Sequence, residues 1–222
     1  MKKYGYPSKS VYLEMAKTTA GFLCRQPEIA TSQGELCSEM NKVQNLLMDK
    51  KVHGYRFNVR IQSRIEKQWH SVRIGANVQF QDDALIVQTY WIEVFGSDNN
   101  EKLKNKVIYR LHFDVAVPGE VNKIDHPIYH IQIGGKVSDA QYATQDMKHW
   151  SVPRIPYVPL SLAMFLEIVL REFGDDIVKK FIKSKEWNNM LLNNQKVMLH
   201  QLAKTILNNG DKTIFRIYYE GL

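Results

Sequence analysis

Residues 126–135 read HPIYHIQIGG, a strand-like run that sets His130 and Gln132 on one side of an extended chain and then stops on two glycines. Earlier in the chain Arg110, His112 and Asp114 recur at the same two-residue spacing. If the two runs pair as strands, His112 joins His130 and Gln132, and Asp114 can orient an imidazole. Two imidazoles sharing acid and base roles, with Arg154 stabilising developing charge, would suit metal-independent cleavage of a phosphodiester. No nucleophile or metal set accompanies them, so a sheet histidine bonded to a neighbour is the simpler account of His130. His126 precedes Pro127 and is expected in a turn.

The common catalytic signatures are missing. The chain has no phosphate-binding P-loop, no GxGxxG after a strand, no GxSxG elbow, no HExxH and no acidic metal triad. Nothing in it asks for a metal or a cofactor. Cys24 and Cys37 lack CxxC companions, which fits a reducing, cytoplasmic setting better than a disulfide framework. No apolar core follows the first lysines and no 18 apolar residues run together, so neither export nor a membrane span is expected. Lys plus Arg is 30 against 23 Asp plus Glu, a formal charge of +7 that favours polyanionic partners.

The elements that must position these residues follow from hydrophobic spacing. Tyr12, Met15, Thr19 and Phe22 recur on one side of a helix capped by Ser8 or Ser10, which Pro27 interrupts. Ser32 and Glu35 have capping-box spacing, and Leu36, Met40, Val43 and Leu47 form a narrow apolar seam behind them. That seam predicts core; a docked partner helix, making an oligomer, is the alternative.

From Gly54 the period changes to two. Tyr55, Phe57, Val59 and Ile61 alternate with Arg56, Asn58, Arg60 and Gln62, and the pattern returns in 72–80 and 107–115. ALIVQTYWIEVFG, 84–96, is apolar on both faces and is expected in the middle of the sheet. Short connections imply an antiparallel meander with its fifth strand near 128–133. Beyond it, 134–159 holds three closely spaced prolines and reads as a long ordered loop. Residues 160–209 read as helices, with Pro159 at a helix start, an inward stripe of Leu162, Leu166, Val169 and Phe173, and Gly174 as a stop. In the next helix Ile177, Phe181 and Ile182 are expected inward, with Lys179, Lys180, Lys183 and Lys185 in solvent. Residues 212–220 are expected to return to the sheet as a strand.

The prediction is one α+β domain over 1–222: helices in 1–52, an antiparallel sheet of about five or six strands in 54–134, then the loop, helices and last strand. Its wet face would gather Arg56, Arg60, Arg64, Arg73, Asn77, Gln79, Arg110, His112, Asp114, His130 and Gln132. Within 54–80, Glu66 is the single carboxylate against Arg56, Arg60, Arg64, Arg73 and Lys67. Such a face could track phosphates while amides contact bases or a partner's backbone; a plain solvated face is the alternative. In VPRIPYVP two prolines stiffen the chain around Arg154, which is expected to clamp an anion or to pair with Asp146 or Glu167. Trp150 in the same loop is the best candidate for stacking, the tryptophans being otherwise scattered.

The strand ending in HIQIGG together with PRIPYVPLSLAMFLEIVLREF resembles an arrangement in small bacterial proteins that accompany mobile elements and phage-defence genes. The likeness spans 126–173 and implies setting more than mechanism: a bacterial accessory component. The leading expectation is a non-enzymatic accessory or sensor subunit that binds nucleic acid or a protein partner through Arg56, Arg60, Arg64, Arg73, Arg110, Gln132, Trp150 and Arg154. The alternative is a metal-independent nuclease or phosphodiesterase using His130, His112 and Arg154.

Overall fold

The computed structural model describes residues 6–65, 67–97, 101–103, 105–115, 129–134 and 154–208. Its centre is an antiparallel sheet whose strand order follows the chain: β1 (Gly54–Ile65), β2 (Gln68–Gln81), β3 (Ala84–Phe95), β4 (Val107–Val115), β5 (Tyr129–Ile133) and β6 (Arg154–Pro156). Tight turns fix the register. Ile65 pairs with Gln68 and Gln81 with Ala84, and Lys67 and Asp82 take the positive φ that such turns demand. With register fixed, alternation sends Tyr55, Phe57, Val59 and Ile61 to the covered face and Arg56, Asn58, Arg60 and Gln62 to solvent.

Helices α1 (Lys9–Leu23), α2 (Pro27–Ser32) and α3 (Gly34–Leu46) precede the sheet; α4 (Leu162–Phe173), α5 (Asp176–Phe181) and α6 (Lys185–Asn208) follow it. The seam on α3 is core: Leu36 and Met40 are fully buried and Val43 nearly so. The α4 helix is apolar almost all round and lies beneath the sheet, with Phe165 stacked on Tyr90 at 4.6 Å between ring centroids. One apolar cluster extends from Tyr6 to Leu202. The antiparallel sheet with amino- and carboxy-terminal helices makes this an α+β fold. Among the described residues no helix is long and apolar enough to cross a membrane.

Five local expectations change. Ser32 closes α2 and gives its hydroxyl to Asp175, so no capping box forms with Glu35; Gln33 stands at the N-cap position of α3 without a side-chain cap bond. Pro27 opens α2 at its first position rather than simply ending α1. Ser161 caps α4 through its side chain, leaving Pro159 two residues outside the helix. Ile177 is 45% exposed and Val178 takes the inward place, because α5 begins at its cap Asp175 and turns that neighbour to the core. Arg154 lies in β6, so the carboxy-terminal end of 134–159 contributes a strand. The predicted strand at 212–220, Trp150 and Asp146 lie outside the described residues.

Candidate functional site

The strand register assembles the polar face as rows running across the sheet. One row is Arg60, Arg73, Glu93 and Arg110 on β1 to β4. The next is Asn58, Gly75, Trp91, His112, Gln132 and Arg154, and the third is Arg56, Asn77, Thr89, Asp114, His130 and Pro156. The arginines, both histidines and Gln132 anticipated on one face therefore share it.

They do not form one continuous cationic patch. Arg60 and Arg73 sit directly opposite each other, a repulsive pairing that two features offset. Both guanidinium groups lie over the Phe95 ring, at 4.8 and 5.3 Å from its centroid. Glu93, only 2% exposed, receives Arg73 Nε at 2.6 Å on Oε2, while Arg110 Nε lies 3.2 Å from Oε1. Arg73 and Arg110 are thus held inside the face by a buried carboxylate. A β3 read as apolar concealed the acid that balances them. Arg56, Arg60 and Arg64 remain exposed along β1 and pair with no described carboxylate.

The β4–β5 side is drier. His112 Nδ1 lies 3.6 Å from Asp114 Oδ2, and Asp114 stands opposite His130 in the register. Burial raises the Asp114 pKa, but the nearby His112 imidazole, with Thr89 and His130 contributing, outweighs it and holds the carboxyl below its ordinary value. His112 Nε2 is buried with no partner among the described residues. His130 is 3% exposed, and the cavity it lines with Asp114 has about 10 Å³, room for at most one water. An acid–base dyad is present in outline; among the described residues there is no space for a phosphodiester beside it. Arg154 joins the cluster by backbone register, opposite Gln132. Its expected partner Glu167 is already engaged by Trp187 Nε1, at 2.6 Å, and by Arg171.

The same face carries two tryptophans that the sequence reading set aside as scattered. Trp91 lies over Gly75: a Cβ added there would come within 2.1 Å of the indole. Trp69, 60% exposed, stands opposite Arg64 near the end of β2. The signal for Trp91 was its two-residue spacing with Thr89 and Glu93, hidden by the apolar residues between. Beyond the β1 edge lies a cleft of about 640 Å³ lined by Arg60, Arg64 and Trp69, with Glu35, Asp175 and Asp176 among its other walls. Lys179 lines it too, so three cations face three carboxylates there.

The chain matches no protein-family model, and no curated protein or solved structure matches it significantly. The geometry alone therefore supports any functional reading.

Proposed function

We propose that the protein is a non-enzymatic accessory component that binds nucleic acid through the β1–β2 side of the polar sheet face. The observation that supports this most is the row of Arg56, Arg60 and Arg64, all exposed on β1 and without a described carboxylate partner. Spaced four residues apart on a strand, they lie about 13 Å from one to the next. Guanidinium groups in such a row can meet successive parts of a phosphate backbone, and the net charge of +7 favours the encounter. Neutralising about three phosphates predicts a log–log salt slope of roughly −2 to −3.

The test is anisotropy of a labelled oligonucleotide titrated with the full chain at several salt concentrations. Binding should weaken with salt at about that slope, and a triple R56E/R60E/R64E variant should fold normally and lose it. Salt-indifferent binding, or undiminished binding by the triple variant, rejects the reading.

A phosphodiesterase built on His112, His130 and Arg154 has in its favour the His112–Asp114 pair, whose Nε2 has no partner among the described residues. Cleavage of a nucleic acid or cyclic nucleotide in EDTA, lost in a His130→Ala variant, would establish it. No turnover under those conditions ends it.

A further inference from the structure

We infer that the polynucleotide is single-stranded and that its bases stack on Trp91 and Trp69. The inference rests on the nucleic-acid reading above and adds which form of nucleic acid the face accepts. An aromatic ring on an open sheet offers a π-face that any unpaired base can cover, whereas a duplex keeps its base faces inside the stack. Trp91 sits in the middle of the polar face because Gly75, the residue opposite on β2, has no side chain to displace the indole. Around it the register brings Asn58 from β1, Asn77 from β2 and Thr89 from β3, whose amides and hydroxyl suit base edges.

The second ring lies along the same strand. Trp69 and the Gly75 seat of Trp91 are six residues apart on β2, about 20 Å. Between the two rings stand Arg60 and Arg73, opposite each other and over Phe95. A strand of a few nucleotides laid along β2 would place bases at the two tryptophans and phosphate beside the exposed Arg60 between them, Arg73 being engaged by Glu93. Its length falls at the low end of the roughly 4–16 nucleotides that single sheet-based sites cover.

The breadth of the face argues against a duplex. Six strands about 4.8 Å apart span roughly 24 Å, twice the roughly 12 Å of a major groove, so this surface cannot enter one as a narrow ribbon can. The exposed arginines lie on β1, at one margin of the sheet, where they can flank a flexible chain resting on β2 and β3.

The experiment compares the full chain binding to a labelled oligothymidine, an oligouridine and a hairpin duplex of equal length at low salt. At least one single strand should bind on the order of ten-fold more tightly than the duplex and quench tryptophan emission. Trp69→Ala and Trp91→Ala should each weaken that binding on the order of ten-fold, while Trp91→Phe keeps most of it. Trp69 is largely exposed, so its truncation tests the inference even if Trp91→Ala fails to fold. Equal or tighter duplex binding, or a single-strand preference untouched by Trp69→Ala and Trp91→Ala, overturns the stacking and leaves the arginine-dependent reading in place. No binding to any of the probes overturns both.

Discussion

Arg73 and Glu93 face each other across β2 and β3, with the guanidinium Nε donating to the carboxylate at 2.6 Å in a site where Glu93 is almost wholly buried. Arg110 approaches the other oxygen from β4, so one acid joins three strands. Removing one partner of a buried ion pair strands the other charge. Glu93→Gln is therefore expected to destabilise the fold by about 3 kcal/mol, near the lower end of such losses because Arg73 is about a third exposed. Urea unfolding measures it. A loss under about 1 kcal/mol would mean that water already screens the pair.

The exposed arginines of β1 should behave differently. Arg56→Ala and Arg64→Ala are each expected to leave the melting temperature nearly unchanged, because neither side chain pairs with a described carboxylate. Each should reduce the salt slope of nucleic-acid binding by about one. Arg73→Ala, in contrast, should shift the melting temperature clearly. Comparing the two effects separates arginines that serve contact from those that serve the sheet.

Acid should remove one further contribution. The Asp114 carboxyl is held below its ordinary value of 3.8, so the folded state binds its proton less readily than the unfolded chain does. Its stabilisation is fully present above the unfolded value and disappears as pH falls through the folded one. Asp114→Asn is expected to be less stable than the parent at neutral pH and to converge with it in strong acid. Parallel denaturation curves at every pH would refute this assignment.

At the other end of the scale, four buried tyrosines predict alkaline unfolding. Burial first of all raises the hydroxyls of Tyr6, Tyr12, Tyr55 and Tyr90 well above 10.0. A raised pKa contributes stability below the unfolded value and loses it as pH climbs through the folded one. Tyrosinate absorbance of these residues should therefore emerge with the unfolding transition above pH 10.0 and not before it. Gln88 ties the group together, donating from Nε2 to Tyr12 at 2.5 Å and to the Leu160 carbonyl at 2.6 Å and accepting from Tyr6. Gln88→Leu leaves those groups buried without it and should cost about 2 kcal/mol, measured by denaturation at neutral pH.

What the sequence disclosed was whatever depends on local spacing. The β1 alternation set Arg56, Arg60 and Arg64 on one face, and the α3 seam from Leu36 to Leu47 announced its burial. The His112, His130 and Gln132 neighbourhood followed once β4 and β5 were paired. Partners drawn from distant segments could not be read in the same way. Glu93 looked like an isolated acid in an apolar strand until β2 and β4 brought arginines to both its oxygens. Gln88 broke the β3 pattern with no local reason, because its partners lie 72, 76 and 82 residues away. The Ser32–Glu35 spacing misled for the same cause: Asp175, 143 residues on, takes the serine hydroxyl.

The Tyr12 hydroxyl donates to the carbonyl of Leu160, 148 residues later in the chain. During synthesis the first helix therefore leaves the ribosome on the order of ten seconds before the segment that completes its seat. Over that interval its buried stripe around Tyr12 is an apolar surface awaiting a ceiling, and a nascent chain stalled before residue 160 exposes it.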